Sequence, residues 1–171
     1  YTITETGYGQ YQVVDNRTTS TWSAADIATS ADGAMDVHLV DLNRDGYLDI
    51  LYASMHDDTI AWYENNKERN PSFTTKHTIS TNADSANGIF VADLDGDGDL
   101  DIVSASANDD KIAWYENNGG HNPYFQTRQI ATSADQASKV FVADLDGDGD
   151  LDIVSSSRGD DTIAWYENDG A

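Results

Sequence analysis

The feature that most constrains the fold is an internal repeat of 51 or 52 residues. The segment DLDGDGDLDIV occupies residues 93–103 and recurs without change at 144–154, and a looser copy, DLNRDGYLDIL, occupies 41–51. The hexapeptide IAWYEN follows the three copies at the same two spacings, at 60–65, 112–117 and 163–168. A period of this length and regularity indicates a solenoid or a propeller built from similar structural units.

Each period contains four stretches with the composition of β-strands, as the second copy shows. Residues 89–92 are a short apolar run, which is typical of a strand covered on both faces, and residues 102–106 follow the acidic segment. Residues 111–116 are rich in β-branched and aromatic side chains, and residues 125–130 are polar and alternating, as expected of an outer strand. No stretch has a helical period with caps. We therefore predict an all-β fold, a β-propeller of four-stranded antiparallel blades.

The repeat divides the chain into four segments. We predict an N-terminal segment over residues 1–26 with an outer blade strand at 22–27, followed by repeats at 27–80, 81–131 and 132–171, the last without an outer strand. Closed propellers have roughly four to eight blades. Two expectations therefore stay open, a piece of a longer array or a six-bladed ring completed by a second chain. An open stack of three blades would expose apolar faces at both ends, which predicts a partner surface.

The acidic segments have the pattern of calcium loops. Counted from the first aspartate, positions 1, 3, 5 and 9 carry side-chain oxygens and position 6 is always glycine. The oxygens can converge on one cation, the glycine permits a sharp turn, and the backbone carbonyl of position 7 supplies a further ligand. About six or seven oxygens suit Ca²⁺, whereas Mg²⁺ prefers a near-ideal octahedron with retained water. The predicted ligands of three Ca²⁺ sites are Asp41, Asn43, Asp45, Tyr47 and Asp49; Asp93, Asp95, Asp97, Asp99 and Asp101; and Asp144, Asp146, Asp148, Asp150 and Asp152.

These loops differ from an EF-hand, because strands flank them and position 12 is Tyr52, Ser104 or Ser155 instead of glutamate. Agreement among three copies favours a metal site over a solvated acidic turn. In the first copy Asn43 replaces an aspartate and Arg44 lies beside it. We therefore expect the first site to bind Ca²⁺ more weakly than the other two.

The charge of the chain supports a cation as ligand and excludes other partners. The chain has 31 acidic and 9 basic residues, a net charge of −22, and thirteen of the acidic residues lie in the three loops. The basic footprint needed for nucleic acid or an anionic membrane surface is absent. There is no cysteine for a disulfide or a thiolate metal site, and no apolar run of about 18 residues to span a membrane. Three Ca²⁺ ions would still leave −16, so we expect a secreted protein in surroundings rich in calcium or salt.

The unit of strand, D-x-D-x-D-G-x-x-D loop and strand, followed by IAWYEN, resembles the FG-GAP or VCBS-type repeat of integrin-α-like β-propellers. The resemblance covers residues from about 27 to 170. The literal FG and GAP tripeptides are absent, which places the chain nearer the VCBS-type branch. The resemblance implies a Ca²⁺ ion in the loop that joins the first two strands of each blade. Members of the group include lectins, adhesins and appendages of polysaccharide-degrading enzymes.

We expect a secreted module that is not an enzyme and that binds carbohydrate or a cell-surface glycoconjugate. A structural or assembly subunit that binds another protein, and a non-catalytic accessory part of a polysaccharide-degrading enzyme, stay open as alternatives. The histidines do not recur at equivalent positions and cation ligation accounts for the clustered carboxylates, so no catalytic site can be assembled. Sugar contacts are expected in turns such as 57–58, 108–110 and 159–161. The repeated tryptophans, Trp62, Trp114 and Trp165, are expected to pack between blades.

Overall fold

The structure is a computed structural model, and it describes residues 2–7, 10–14 and 23–170. Every regular element within these ranges is a β-strand, so none of the described residues forms a helix long and apolar enough to cross a membrane. The strands are β1 (Thr2–Gly7), β2 (Gln10–Val14), β3 (Ala34–Val40), β4 (Asp49–Ser54), β5 (Thr59–Glu64), β6 (Thr75–Ser80), β7 (Ala86–Ala92), β8 (Asp101–Ser106), β9 (Lys111–Asn117), β10 (Phe125–Ala131), β11 (Ala137–Ala143), β12 (Asp152–Ser157) and β13 (Thr162–Tyr166).

Each repeat forms one antiparallel sheet in which consecutive strands are hydrogen-bonded neighbours. The first sheet contains β3 to β6, the second β7 to β10 and the third β11 to β13, while β1 and β2 form a separate two-stranded sheet. The predicted all-β architecture is therefore confirmed, and all four strands predicted from the second repeat are found, as β7 to β10. The described sheets are open, and closure into a propeller ring stays a prediction.

The outer strand predicted at 22–27 is wrong. Residues 23–27 are irregular, and residue 22 lies outside the described residues. Residues 23–26 read Ser-Ala-Ala-Asp, whose low β-propensity explains why the irregular conformation is preferred. The only strands described within the predicted segment 1–26 are β1 and β2, which pair with each other. The three larger sheets lie within the predicted ranges 27–80, 81–131 and 132–171.

The register of the first two strands in each sheet fixes the place of the acidic loop. The last residue of the first strand pairs with the position-9 aspartate, which begins the second strand, in the pairs Val40 with Asp49, Ala92 with Asp101 and Ala143 with Asp152. Each acidic loop is thus the connection of a β-hairpin, with its two ends held together by the ladder. The same loop shape is therefore presented three times, at the same end of each sheet.

The hydrophobic core lies between the faces of neighbouring sheets. Ile60 and Trp62 of the first sheet pack with Ile102 and Tyr115 of the second, and a second cluster joins the second and third sheets. Each large side chain that becomes fully buried in this way contributes about 1.5–3 kcal/mol to stability. These contacts make the stack of three sheets one packed unit.

The repeated tryptophans have three different surroundings. Trp62 is buried and stacks on the ring of His77, and Trp114 is partly buried and packs against the second cluster. Trp165 is half exposed, because it lies on the outer face of the third sheet. The expectation that all three pack between blades is thus wrong for Trp165 within the single chain.

The first strands of the three sheets lie side by side along the inner edge of the stack. β7 contacts both β3 and β11, and a Cβ atom added at Gly88 would lie only 2.8 Å from the carbonyl oxygen of Ser138. The Nζ atom of Lys139 lies 2.8 Å from Oδ2 of Asp36, which also accepts a hydrogen bond from the backbone N–H of Ile89 at 3.2 Å. Polar contacts thus join all three sheets at this edge.

Candidate metal centres in the acidic loops

The glycine at position 6 gives each acidic loop its turn. Gly46, Gly98 and Gly149 have φ angles of 89°, 91° and 104°, in the region that glycine adopts without the penalty of a Cβ atom. Their backbone N–H groups donate to Oδ2 of the position-1 aspartate, at 2.9, 2.9 and 3.2 Å. The turn therefore folds the middle of the loop back over its first carboxylate, as the sequence predicts.

The position-5 side chain and the position-7 backbone also keep one arrangement in all three loops. The backbone N–H of position 7 donates to Oδ1 of the position-5 aspartate, at 2.9 Å from Tyr47, 2.8 Å from Asp99 and 2.9 Å from Asp150. One oxygen of the position-5 carboxylate is therefore committed to the backbone, and the other is directed elsewhere. The predicted role of the position-7 carbonyl as a ligand stays a prediction.

The position-9 aspartate joins the loop to the third strand of its sheet. Asp101 is only 1% exposed, and its carboxylate accepts hydrogen bonds from the backbone N–H groups of Leu94 at 3.2 Å and Asn117 at 2.7 Å. Asp49 and Asp152 make the same pair of contacts in their repeats. These carboxylates satisfy two backbone donors each, in addition to any role as a ligand.

The asparagine that ends IAWYEN is a site residue that the sequence reasoning did not identify. The side-chain amides of Asn65, Asn117 and Asn168 donate to the carbonyl oxygen of the leucine just before the position-9 aspartate, at 3.0, 3.0 and 3.3 Å. This asparagine recurs at a fixed spacing from each acidic loop. That recurrence was the signal in the sequence that it contacts the loop.

The surroundings of the position-9 carboxylates shift their acidity. Burial raises the pKa of Asp49 and Asp101 to about 6, against the opposing effect of the two backbone hydrogen bonds, and nearby loop aspartates add a smaller rise. The hydrogen bond from the Asn168 backbone N–H lowers the pKa of Asp152, which lies in the end sheet. A buried carboxylate with a raised pKa is costly to ionise, and a cation beside it would offset that cost.

Two of the loops gather three carboxylates each. Ligand oxygens of Asp93, Asp95 and Asp97 lie within 4.8 Å of one another, and the same holds for Asp144, Asp146 and Asp152. Two oxygens on opposite sides of a Ca²⁺ ion lie about 4.6–5.2 Å apart, because each bond is about 2.3–2.6 Å long. The spacing of both clusters therefore suits a divalent cation. Asp101 and Asp148 lie outside the two clusters.

An unsatisfied oxygen in the second loop provides an independent test of fit. Oδ1 of Asp93 is buried and has no hydrogen-bond partner among the described residues. Leaving a buried carboxylate oxygen without a donor or a cation is unfavourable. The donors of both clusters are exclusively oxygens, which are the ligands of hard cations such as Ca²⁺. The residues present therefore fit such an ion.

The first loop differs from the other two. Nζ of Lys67 lies 2.9 Å from Oδ2 of Asp45, and Nη1 of Arg44 lies 2.6 Å from Oδ1 of Asp99 in the second loop. The amide of Asn43 faces Oε1 of Glu64, at 3.5 Å. Within the described part of the chain, this loop does not bring three carboxylates together. Lys67 thus supplies positive charge to the first loop, whereas Arg44 extends from it to the second loop. The predicted third Ca²⁺ site stays a prediction.

A polar cleft lies at the other end of the sheets, where the turns between second and third strands meet. Its volume is about 660 Å³. Its lining includes apolar groups such as Met35 and Met55 and the polar side chains Asp58, Asp84, Asn108, Lys139 and Arg158. Two of the turns in which sugar contacts were expected, 57–58 and 108–110, thus contribute to one cleft.

A family model described as FG-GAP-like repeat matches residues 41–104 and 93–155. The first match contains the first and second acidic loops and the second match contains the second and third, so together they span more than half of the chain. No curated protein matches the chain. The resemblance seen in the sequence is confirmed, and the chain belongs to the FG-GAP-like repeat family.

Proposed function

We propose that the chain is a Ca²⁺-stabilised extracellular module that binds carbohydrate on glycoconjugates and has no catalytic role. Its family supports a β-propeller-like binding module, and FG-GAP repeats are generally non-catalytic. The observation that carries the calcium part is the carboxylate cluster of the second loop, in which the buried Oδ1 of Asp93 lacks a partner among the described residues.

The ions would be held by the two carboxylate clusters, with Asp93, Asp95 and Asp97 in one and Asp144, Asp146 and Asp152 in the other. A bound Ca²⁺ supplies positive charge and fixed coordination. In a chain with a net charge of −22, that charge relieves repulsion where the carboxylates are closest together. Because each loop connects the first two strands of its sheet, ion binding favours the folded hairpin over the unfolded chain.

The carbohydrate part rests on the polar cleft. Carboxylates such as Asp58 accept hydrogen bonds from sugar hydroxyls, whereas Arg158 and Lys139 donate them, and Met35 and Met55 offer apolar surface to the C–H face of a sugar ring. The strongly negative chain disfavours polyanionic ligands. A neutral glycan is therefore the ligand class that this cleft suits best.

Thermal unfolding tests the calcium part. With free Ca²⁺ at about 100 times the dissociation constant, two sites stabilise the fold by about 5 kcal/mol. We expect this to raise Tm by about 10–20 °C relative to excess EDTA, since 1 kcal/mol corresponds to about 2–4 °C in a chain of this size. Mg²⁺ at the same concentration is the control and should give a much smaller rise. A melting curve that is the same in Ca²⁺ and in EDTA would contradict the proposal.

Binding of immobilised neutral glycans, measured in Ca²⁺, tests the carbohydrate part. Arg158→Gln should weaken binding, and Arg69→Gln removes an equal charge from an exposed position outside the cleft and should leave binding unchanged. A structural spacer, which is the alternative, should bind no glycan in any condition. An accessory module of a polysaccharide-degrading enzyme should bind the polymer that its enzyme cleaves.

A further inference from the structure

The first sheet presents an exposed apolar face, which we call the head face. On it, Val37 is 63% and Leu39 is 66% exposed. The counterpart of Val37 one repeat later is Ile89, which is 3% exposed, and the counterpart of Leu39 two repeats later is Val142, which is 6% exposed. These counterparts are buried because the preceding sheet covers them. The head face thus has the chemistry of a packed interface, and no sheet of the described residues covers Val37 and Leu39.

The third sheet presents the complementary surface, which we call the tail face. Ile163 is 80% and Leu145 is 52% exposed on it, and Trp165 lies beside them. The counterparts of the first two in the first repeat are Ile60 and Leu42, which are 0% and 2% exposed. There the following sheet covers them.

Both internal interfaces join the tail side of one sheet to the head side of the next. The open tail face is equivalent to the tail faces that are covered inside the stack, and the open head face is equivalent to the head faces that cover them. The two open faces therefore match each other. We propose that two copies of this chain associate head to tail through these faces and close a ring of six blades. Such a ring buries both faces of each copy, and six blades lie within the range of roughly four to eight found in closed propellers.

Hydrogen bonds across the internal interfaces also have counterparts on the two open faces. The side-chain amide of Asn117 donates to the carbonyl oxygen of Leu42 in the preceding sheet at 3.4 Å, and that of Asn168 donates to Leu94 at 3.2 Å. The corresponding donor on the head face is Asn65. The corresponding acceptor, the carbonyl of residue 145, lies on the tail face.

A second polar contact repeats in the same way. The carboxylates of Asp58 and Asp110 each accept a hydrogen bond from the backbone N–H just before the next sheet, at 3.0 and 2.9 Å. The equivalent carboxylate on the tail side is that of Asp161, and the equivalent N–H on the head side is that of Gly33. Apolar and polar complementarity therefore agree on one register for the contact between copies.

The mass in solution tests this proposal, measured by light scattering after size exclusion in Ca²⁺-containing buffer. We expect about 37 kDa for the unaltered chain, twice the 18.6 kDa of one copy. Val37→Asp and Ile163→Asp each damage both contacts of the ring and should give 18.6 kDa. Both positions are exposed in the single chain, so circular dichroism should show an unchanged fold. Tyr124→Asp places the same charge at an exposed residue away from both faces and should keep the larger mass.

Mixing the two interface variants tests the direction of the contact. The Val37→Asp chain keeps an intact tail face and the Ile163→Asp chain keeps an intact head face, so a mixed pair has one intact contact and one contact that carries both substitutions. Through the intact contact, an equimolar mixture should regain the mass of two chains, which neither variant reaches alone. A single-chain mass for the unaltered protein would overturn the proposal. A Val37→Asp variant that stays dimeric would overturn the head-to-tail contact, and larger open assemblies would overturn the closed ring. None of these outcomes depends on carbohydrate binding.

Discussion

Replacement of Asp101 by alanine tests how the acidic loop is held to its sheet. The Asp101 carboxylate accepts hydrogen bonds from the buried backbone N–H groups of Leu94 and Asn117, at 3.2 and 2.7 Å. Each donor left unsatisfied costs about 1–3 kcal/mol. Burial raises the pKa of Asp101 to about 6, so the buried carboxylate is costly to ionise. Removing it therefore offsets part of the cost of the two unsatisfied donors. We therefore expect Asp101→Ala to lower the free energy of unfolding by about 2–4 kcal/mol.

Urea denaturation in excess chelator, at neutral pH and followed by circular dichroism, isolates this effect from metal binding. Asp95→Asn is the matched control, because within the described ranges the Asp95 carboxylate accepts a single hydrogen bond, from the loop N–H of Asp97 at 3.2 Å, and an amide oxygen can accept the same bond. In chelator we expect the control to be at least as stable as the unaltered chain, because it also removes one charge from a cluster of carboxylates that repel one another. In excess Ca²⁺ the control should lose part of the metal-induced stabilisation, because Asp95 belongs to the carboxylate cluster.

Two results would refute the reasoning about Asp101. An unchanged urea midpoint for Asp101→Ala in chelator would mean that its two hydrogen bonds do not hold the loop to the third strand. A loss that appears only in Ca²⁺, and that equals the loss of the Asp95→Asn control, would mean that Asp101 acts as a metal ligand alone.

Three further predictions follow from other contacts. Lys67→Gln should increase the Ca²⁺ bound per chain in calorimetric titration, because it frees a carboxylate of the first loop; unchanged stoichiometry and affinity would contradict this. Gly88→Ala should cost about 1–3 kcal/mol by urea denaturation, because its Cβ atom meets the backbone of β11, whereas Gly120→Ala, with ordinary contacts, should be neutral. Burial opposes ionisation of Asp36, but hydrogen bonds from Lys139 and a backbone N–H outweigh it and lower its pKa below 3.8. Lys139→Gln should therefore lower the free energy of unfolding by its full amount at neutral pH, and by less as the pH falls through the lowered pKa of Asp36. An equal loss in strong acid would contradict this assignment.

The sequence predicts local structure well here because the repeat samples each local pattern three times. The four strands of the second sheet and the sharp turn at Gly98 follow from strand propensity, spacing and the conformational freedom of glycine. The contact of Lys67 with the first loop could not be predicted in the same way. Lys67 lies beyond the third strand, and its contact depends on how the chain returns beside that loop.

Identical sequence also gives different surroundings in different repeats. Trp62 and Trp165 occupy the same place in the same hexapeptide, yet Trp62 is buried and Trp165 is half exposed. The difference comes from the second sheet, which packs on the face that carries Trp62. Local sequence determines which side chains a sheet directs outward, and only the stacking of sheets determines whether those side chains are covered.

The same reasoning applies to the charges of the loops. Asp101 and Asp152 lie in identical eleven-residue segments, accept the same two backbone hydrogen bonds and are 1% and 0% exposed. The difference in their pKa therefore comes from the further sheet that packs on the middle sheet. Burial raises the pKa of Asp101 in the middle sheet to about 6, whereas the hydrogen bond from Asn168 dominates for Asp152 in the end sheet and lowers its pKa. Stacking a further sheet therefore makes the position-9 carboxylate more costly to ionise. A cation in the loop offsets that cost, so sheet stacking and cation binding should favour each other.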